Sequence, residues 1–546
     1  MVAVMANRVP ALGVFLWLAA VVVAQAPPGF KTYENKLAKL SFYYPTIYKE
    51  MPLPPTEQLL VAKFVLSKTP RELKKVDPRV VAAAGLTVSI FLFEGASSPV
   101  TGGGEAKADT GPSTVREAME RRSRVTSWEQ FQKRLGWQLT PVKGKQETYR
   151  MTSRRARRAM SVSGRLVRKQ VGDKVFGVYA HTLEPHAKKL DKIVDTVGKS
   201  LSLRDLDGAA DLAAKRIDRI YRTSKLGAIA WRKQIRRSLA KGWQAVDTEN
   251  YVIVHHTKSK GLIKRIARDI EAMRSFYMNL FPPTGDVDKV SVLRLCQTKE
   301  EYHQYGGPPN TGGYWHPGNE ELVLFDYSYT QKKMTAKQKK AMGGRKLSSK
   351  DSMLVLRHEA FHQYIFYAIG EFSPHDWFNE GYGDYFSGAV VHGNTGRVAK
   401  IQPSPWRIHR AKDMCEFGKG FLPLEKILKA ERSTFYNRSR VADYYAGAWS
   451  FVYFLKESKE AKAHPQWSKM LDTYFHAVKD CYLEELREFG ERPNLANKQV
   501  AGFNARKAAL KRTLQGLDLP ELEEVWREWV VDLRDPWPSL RKKRKK

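Results

Sequence analysis

The chain has 546 residues, enough for several domains, and its composition of 42% hydrophobic and 11% aromatic residues excludes a wholly disordered protein. It holds 93 lysines and arginines against 57 aspartates and glutamates, a formal net charge of +36. Cys296, Cys415 and Cys481 allow at most one disulfide bond, which excludes a disulfide-stabilised scaffold. No apolar run of about 18 residues follows the N-terminus, so a protein with several membrane spans is excluded too.

Residues 1–26 have the pattern of a secretory signal peptide. Arg8 precedes an apolar stretch at 9–24, and Ala24-Gln25-Ala26 then supplies a small-residue cleavage pattern before Pro27. The alternative is an uncleaved N-terminal anchor, but the apolar run is short for a membrane span. We therefore expect an exported protein (periplasmic, cell-surface or secreted) with no transmembrane span in the mature chain, which would begin at or near Pro27.

The basic excess favours contact with polyanions. Its densest runs are 154–158, 332–350 and 541–546, the last within a basic tail at 536–546. No stacking aromatic residues interleave with these runs, as a protein that binds single-stranded nucleic acid would need. We expect a solvated surface or binding to acidic polymers, and we do not expect nucleic-acid binding as the main function.

Residues 27–205 are predicted to form an N-terminal α/β module. Apolar patterning predicts strands at 40–45, 86–93 and 174–181, and residues 190–201 have apolar side chains at helical spacing. A last strand followed by such a helix resembles small secreted α/β sandwich modules of the PsbP-like type. That resemblance carries no active-site residue.

A helical connector is predicted at 206–243, before a second domain at 244–535. A strand at 251–256, a helix at 261–281 and a strand at 290–295 open this domain. The order strand, helix, strand predicts a crossover unit, most simply with the two strands parallel.

A hairpin follows at 313–326, with the sequence GYWHPGNEELVLFD and a turn at Pro317-Gly318-Asn319. Residues 328–350 are basic and poor in apolar side chains, which predicts a mobile surface loop. From Ser352 onward almost the whole sequence has helical phasing.

The strongest functional signal is the sequence HEAFH at 358–362. Histidines at i and i+4 lie on one helix face, so both imidazoles can reach one Zn²⁺ at about 2.0–2.1 Å. Glu359, at i+1, points beside the metal, where a general base for a metal-activated water is needed. Ser352 could cap this helix and Gly370 could end it. The alternative is a helix that carries two unligated histidines.

A second helix, with the sequence WFNEGYGDYF at 377–386, supplies a candidate third ligand. Glu380 lies 380 − 362 = 18 positions after His362, which allows one helix to end and the next to bring a carboxylate back. His358, His362 and Glu380 would then be three protein ligands, with a fourth position left for water. Asp384, one turn after Glu380, can accept the free ring N–H of a ligating histidine.

HExxH followed by N-E-x-x-x-D resembles the gluzincin metallopeptidases, the thermolysin and aminopeptidase-N type. The resemblance implies that His358, His362 and Glu380 are zinc ligands. It also implies that Glu359 is the catalytic base and that Asp384 is the supporting aspartate.

More specifically, residues 244–535 resemble an exported bacterial family of HExxH proteins whose function is unknown. In gluzincins, an edge strand upstream of the HExxH helix binds substrate backbone by β-addition, and Gly313, Tyr314 and Trp315 occupy that place. An ordinary hairpin is the alternative. Asn379, beside the third ligand, is predicted to support the site from the same helix.

Similar gluzincins also carry a tyrosine, at the start of a later helix, that donates a hydrogen bond to the tetrahedral oxyanion. The sequence DYYAGAW at 443–449 opens an apolar helix of this kind. Matching the helix at Leu455 selects Tyr445, and matching it at Gly447 selects Tyr444. We favour Tyr445; the alternative is a tyrosine that is simply packed.

Together these patterns predict an α+β protein: an N-terminal α/β sandwich-like module, then a gluzincin-type catalytic domain with a small mixed sheet and a mainly helical lobe. The expected function is that of an exported zinc metallopeptidase, with one Zn²⁺ per chain and a peptide or protein substrate. One alternative is a catalytically silent binding protein that keeps the zinc fold, against which the intact Glu359 argues. The other is a zinc hydrolase of a non-peptide amide.

Overall fold

The structure, a computed structural model, describes residues 25–536 apart from residues 58, 68–86, 95–113, 115, 118–119, 121–126, 136–137, 146–147, 156–159, 173, 185–186, 204–207, 284–286, 288, 337–345, 394 and 491–492. The predicted signal peptide up to residue 24 and the basic tail from residue 537 lie outside the described residues. Across the described residues the fold is mixed α+β, as predicted. None of the helices in these ranges is long and apolar enough to cross a membrane.

The first part of the chain builds two antiparallel sheets. The smaller sheet has the order β1 (Phe30–Asn35), β2 (Leu40–Pro45) and β10 (Ser202–Leu203). The larger sheet consists of β3 (Tyr48–Met51), β4 (Leu60–Leu66), β5 (Thr87–Glu94), β6 (Gln138–Pro141), β7 (Tyr149–Arg155), β8 (Met160–Val171) and β9 (Lys174–Leu183). Its spatial order is β3-β4-β5-β9-β8-β7-β6. A short helix, α1 (Trp128–Leu135), precedes β6.

The helix α2 (Lys188–Ser200) joins these two sheets into one core. Its apolar residues recur at helical spacing and are buried on one face, as the sequence predicts: Leu190, Ile193, Val194 and Val197. They pack in the same cluster as Phe42 of β2 and Phe176 of β9.

The region predicted as a connector contains two helices, α3 (Ala209–Tyr221) and α4 (Ile229–Arg237). Arg232 of α4 is fully buried, and its guanidinium donates to Asp247 at 3.2 Å and to the carbonyl of Glu249 at 2.7 Å. These bonds hold α4 against the sheet that follows.

This third sheet positions the candidate site. Its strands are β11 (Gln244–Asp247), β12 (Tyr251–His255), β13 (Ser291–Cys296), β14 (Gly313–His316) and β15 (Glu321–Phe325), in the order β11-β12-β13-β15-β14. The predicted crossover is confirmed, because β12 and β13 are parallel and α5 (Lys260–Leu280) joins them. The predicted hairpin is confirmed too, and it leaves β14 at the edge of the sheet.

Helices cover both faces of this sheet, as expected for central strands that are buried along their whole length. One face packs against α5 and the helix α8 (Ser349–Ala368), through residues such as Ile253, Ile266 and Leu356. The other face packs against α4 and α6 (Lys299–Tyr305). The HEAFH sequence lies on α8, so the sheet directly supports the candidate site.

The prediction of a loop at 328–350 is wrong at its start, because the chain forms the helix α7 (Tyr327–Lys333) there. The carboxylate of Asp326 accepts the backbone N–H groups of Ser328 and Tyr329, at 3.0 and 3.1 Å. This cap satisfies the first turn, so a helix forms without a strong apolar pattern. Residues 337–345 lie outside the described residues.

The rest of the chain is mainly helical, with one short strand pair. It consists of α9 (Asp376–Ser387), β16 (Ala389–Val391), β17 (Val398–Ile401), α10 (Ile408–Phe417), α11 (Leu424–Leu428), α12 (Arg432–Phe435), α13 (Val441–Glu457), α14 (Lys459–Ala463), a 3-10 helix (Trp467–Lys469), α15 (Met470–Arg487), α16 (Leu495–Leu514) and α17 (Leu519–Asp532). Large side chains such as Phe361, Trp377 and Trp449 share one core here. All three cysteines are buried and free.

A buried ion pair joins the third sheet to the N-terminal module. The Nε of Arg294 donates to Glu321 Oε1 at 2.6 Å, and its Nη2 donates to the carbonyl of Leu53 at 3.1 Å. The hydroxyl of Tyr305 donates to the second oxygen of the Glu321 carboxylate. Glu321 is fully buried, so its charge is balanced only by these neighbours.

Replacing Glu321 by Gln is expected to lower the free energy of unfolding by about 3–5 kcal/mol, because Arg294 would stay buried without its counter-charge. The adjacent Glu320 offers a matched control, since it pairs with Lys289 at 2.5 Å near the surface. Glu320→Gln is expected to cost about 1 kcal/mol or less. Urea denaturation of the three proteins measures both effects, and equal costs for the two variants would contradict this account.

Candidate metal centre

Helix α8 begins one turn earlier than the sequence predicts. The N-cap is Ser348, whose hydroxyl accepts the N–H of Lys350 at 3.2 Å while Asp351 accepts the N–H of Ser348 at 2.8 Å. This reciprocal capping stabilises the early start. The prediction that Ser352 caps the helix is therefore wrong: Ser352 is buried inside it, and its hydroxyl donates to the carbonyl of Phe325 at 3.4 Å.

Helix α9 can approach its neighbours closely because it contains two glycines. A Cβ atom at Gly383 would lie 2.8 Å from Cε1 of His358, and one at Gly381 would lie 2.8 Å from the carbonyl oxygen of Ala448 in α13. Both distances are too short for a side chain. The glycines therefore allow Glu380 to reach the two histidines of α8.

The three predicted ligands converge on one point. His358 Nε2 lies 3.0 Å from His362 Nε2 and 3.1 Å from Glu380 Oε2, and the remaining separation, between His362 Nε2 and Glu380 Oε2, is 3.4 Å. Bonds of about 2.0–2.1 Å to a tetrahedral ion would place its ligand atoms about 3.3 Å apart. These side chains could therefore hold a metal ion.

Two neighbours set which ring nitrogen of each histidine carries the proton. His362 Nδ1 lies 2.9 Å from Asn379 Oδ1, an oxygen that can only accept. His358 Nδ1 lies 3.2 Å from Asp384 Oδ1, close enough for charge attraction although the angle is poor for a hydrogen bond. Both Nδ1 atoms therefore favour a proton, and both Nε2 lone pairs face Glu380. Three electron-pair donors that face one another suit a cation between them.

The electrostatics also favour positive charge at this point. Burial would lower the pKa of His358, but Asp384 and Glu380 raise it well above its ordinary value. Burial would raise the pKa of Glu380, but the two histidines hold it well below its ordinary value. Burial would also raise the pKa of Asp384, but Arg407, whose Nε lies 2.5 Å from Oδ2, keeps it low. Both carboxylates are therefore ionised.

Glu359 lies beside the ligands, between α8 and the edge strand. Burial raises the pKa of its carboxyl group, although the two histidines oppose this, and the carboxylate accepts the backbone N–H of Trp315. A Cβ atom at Gly313 would lie 3.0 Å from Cγ of Glu359 and 2.6 Å from Cγ1 of Val355. The glycine therefore allows β14 to pack directly against the candidate base.

The three predicted substrate-binding residues of β14 divide between two faces of the sheet, because successive side chains in a strand alternate. Trp315 packs toward α8, with ring centroids 6.1 Å from Phe366 and 5.8 Å from Tyr367. Tyr314 points to the opposite face, where its ring lies 5.7 Å from that of Tyr302. Gly313 and Trp315 therefore face the candidate centre, whereas Tyr314 can contribute only its backbone.

The structure separates the two candidate tyrosines of α13. The ring of Tyr445 lies 4.5 Å from the guanidinium of Arg407, and burial together with Glu380 raises the pKa of Tyr445 well above its ordinary value. Its hydroxyl therefore keeps its proton and can donate. Both rings lie near Phe435, with centroid distances of 5.3 Å for Tyr444 and 5.5 Å for Tyr445, and Tyr444 is one of the buried residues of the hydrophobic core. Of the two, Tyr445 lies beside the candidate centre.

Residues 352–469 match a family described as "Protein of unknown function (DUF1570)". The matched range includes all three candidate ligands, Glu359 and Tyr445. No curated protein matches the chain. Among solved structures, the chain is similar to cyanobacterial PsbP (CyanoP) from Synechocystis sp. PCC 6803, at 14% identity over 33% of this chain and 95% of that chain, with a TM-score of 0.20. A likeness of that size supports no conclusion about fold or function.

Two residues of the site are not indicated by any pattern in the sequence. The hydroxyl of Tyr436, just after α12, donates to Glu380 Oε1 and lies 3.4 Å from Asp376 Oδ1. Arg407, just before α10, binds Asp384. Neither lies in a motif or at a helical spacing from the ligands, since Tyr436 is 56 positions from Glu380. Only the packing of the helical lobe brings them to the centre.

Proposed function

We propose that this protein is an exported zinc metallopeptidase of the gluzincin type. The observation that carries the proposal is the convergence of His358, His362 and Glu380 with a fourth group, Glu359, placed beside them and not among them. A binding site needs only the three ligands, whereas hydrolysis needs a base next to them. Export is proposed from the signal-like N-terminus alone.

The ligands and their supports fit zinc in number, type and spacing. When bound, zinc would lower the pKa of a coordinated water and polarise the scissile carbonyl. Asp384 and Asn379 hold the protons on Nδ1, which keeps each Nε2 lone pair turned toward the ion. Tyr436 holds the second oxygen of Glu380, which leaves Oε2 directed at the same point.

Glu359 accepts the proton of the attacking water and delivers it to the leaving amine. Burial raises the pKa of its carboxyl group above the ordinary value, which makes the carboxylate a stronger proton acceptor. Tyr445 donates a hydrogen bond to the developing oxyanion. An extended peptide pairs with the open side of β14, where Gly313 leaves its backbone next to Glu359.

Purified mature protein is expected to contain about one zinc ion per chain and to cleave members of a broad peptide library, since the site offers three ligands and a base. A chelator should abolish cleavage, and added zinc should restore it. Metal analysis by mass spectrometry and product sequencing measure the two properties. Fully zinc-loaded protein that cleaves no peptide would overturn the peptidase proposal, in favour of a binding protein or a hydrolase of other amides.

Tyr445→Phe is expected to lower kcat by about 10²–10³-fold with little change in KM, because the hydroxyl acts on the oxyanion that forms only in the transition state. Tyr444→Phe removes the same atom one position away and is expected to change kcat by less than about threefold, since that ring is packed in the core. Steady-state kinetics on one library substrate compare them. A larger loss for Tyr444→Phe would exchange their roles.

A further inference from the structure

Two cavities adjoin each other beside the candidate metal centre. One has a volume of about 560 Å³ and lies between the tip of the β14–β15 hairpin and α16. The other, of about 890 Å³, continues along α16. His375 and Glu431 line both cavities, so the two lie side by side, and we call them together the cationic groove.

The groove begins close to the metal ligands. Asp376 and Arg432 line its first part, and the hydroxyl of Tyr436 connects Asp376 to the ligand Glu380. Its opposite wall includes Gly318, at the hairpin tip just beyond the end of β14. A peptide paired along β14 would advance about 3.4 Å per residue. It would therefore enter the groove about three or four residues away from the scissile bond.

Positive charge predominates in the groove. Six basic residues line it against three carboxylates, Glu371, Asp376 and Glu431. The basic residues are Lys429, Arg432, Lys498, Arg506, Lys507 and Lys511.

Half of these cations have carboxylate partners: Arg432 with Asp376 at 3.0 Å, Lys498 with Glu371 at 3.5 Å, and Lys429 with Glu425 at 2.7 Å. The other three lie on or beside one face of α16. Across the residues that the structure describes, no carboxylate forms an ion pair with Arg506, Lys507 or Lys511.

We propose that the cationic groove binds acidic side chains of the substrate, so that the preferred substrates are polypeptides with aspartate or glutamate about three or more residues to one side of the scissile bond. This inference rests on the proposed peptidase function. The net charge of the chain would attract any polyanion, but the groove adds position, because its first cavity lies next to the hairpin tip that follows β14.

The test compares two triple variants that remove the same charge. The groove variant, Lys429→Gln/Lys507→Gln/Lys511→Gln, removes the three lysine charges that line the second cavity. It leaves the metal ligands, Asp376 and Arg432 in place. The matched control is Lys189→Gln/Lys192→Gln/Lys199→Gln, which removes three exposed lysines from α2 in the N-terminal module.

Binding is measured by fluorescence anisotropy with labelled (Gly-Glu)5 and (Gly-Gln)5 peptides, on zinc-loaded protein that carries Glu359→Gln and so is expected to cleave them at least about 100-fold more slowly. The acidic peptide is expected to bind about 10-fold more tightly than the neutral one. The groove variant should lose about 10-fold in affinity for it, since three exposed ion pairs are removed, and the control variant less than about threefold. Equal losses in the two variants would overturn the proposal, because net charge alone would then explain binding.

Cleavage gives the second readout. Wild-type protein should cut acidic library peptides with a kcat/KM about 10-fold above that for their Asn and Gln counterparts, and the groove variant should remove this preference. If neutral and acidic peptides are cut equally, the groove proposal fails while the peptidase proposal stands. If no peptide is cut but groove-dependent binding persists, the peptidase proposal fails while the acidic-peptide site stands.

A nucleic-acid probe tests which class of polyanion the groove binds. An oligothymidylate of the same charge as (Gly-Glu)5 is expected to bind with no greater loss in the groove variant than in the control variant. If its affinity falls as much as that of the acidic peptide in the groove variant alone, the groove recognises polyanions in general. The assignment to acidic polypeptides is then wrong.

Discussion

Replacing Glu359 by Gln is expected to reduce peptide hydrolysis by at least about 100-fold, the typical contribution of a positioned general base. Glutamine keeps the shape and volume of the side chain but cannot accept the proton of the attacking water. Since Glu359 is not a ligand, the zinc content should stay near one ion per chain. The loss should appear in kcat, because the base acts in the transition state and not in substrate binding.

Metal analysis, thermal unfolding and steady-state kinetics on the same preparation separate these effects. Glu460→Gln, the same substitution at an exposed position of α14, is the control and should change kcat by less than about twofold. If Glu359→Gln keeps full zinc and full activity, Glu359 is not the base. The proposed mechanism would then lose its central residue.

Replacing Glu380 by Gln is expected to weaken zinc binding by more than about 100-fold, because the only charged ligand of the three is lost. Hydrolysis should fall with the zinc content and recover in part when zinc is added in excess. Tyr436→Phe keeps all three ligands and removes the hydroxyl that contacts the second oxygen of Glu380 and Asp376. The zinc affinity of this variant should therefore fall by about 10–100-fold, the range for residues that orient a ligand.

Competition between each protein and a zinc-sensitive dye measures these affinities directly. We expect the zinc affinity to decrease in the order wild type, Tyr436→Phe, Glu380→Gln. Unchanged zinc affinity in Glu380→Gln would rule out Glu380 as the third ligand. Unchanged affinity in Tyr436→Phe alone would leave the ligand set intact and remove only the positioning role of Tyr436.

Much of the candidate site was predictable because its chemistry depends on local geometry. Histidines four positions apart share a helix face in any α-helix, so the pair at 358 and 362 needed no tertiary information. The 18 positions from His362 to Glu380 leave room for a loop between two helices, so spacing alone made Glu380 a candidate third ligand. The hairpin was predictable for the same reason, since a turn sequence between two apolar strands is a local signal.

Two local predictions were wrong where neighbouring signals competed. Ser348 and Ser352 are both acceptable caps for α8, and the carboxylate of Asp351, placed to return the bond to Ser348, decides between them. At 328–350, low apolar content favoured a loop, yet the cap at Asp326 was enough to start α7. The signal peptide and the export of the protein stay predictions.

The sequence by itself determined the fold class and the ligand motif, because helix faces, strand alternation and turn signals act over a few residues. Only the tertiary structure showed that Tyr445 lies beside the candidate centre, since adjacent helical residues point about 100° apart and the rotation of α13 depends on its packing against α9. Only the tertiary structure brought Tyr436 and Arg407 to the ligands. Lys498 and Arg506 of α16 belong to none of the dense basic runs in the sequence. Only the tertiary structure places them on a cavity that the hairpin tip also lines, an arrangement over long sequence distances that no local pattern encodes.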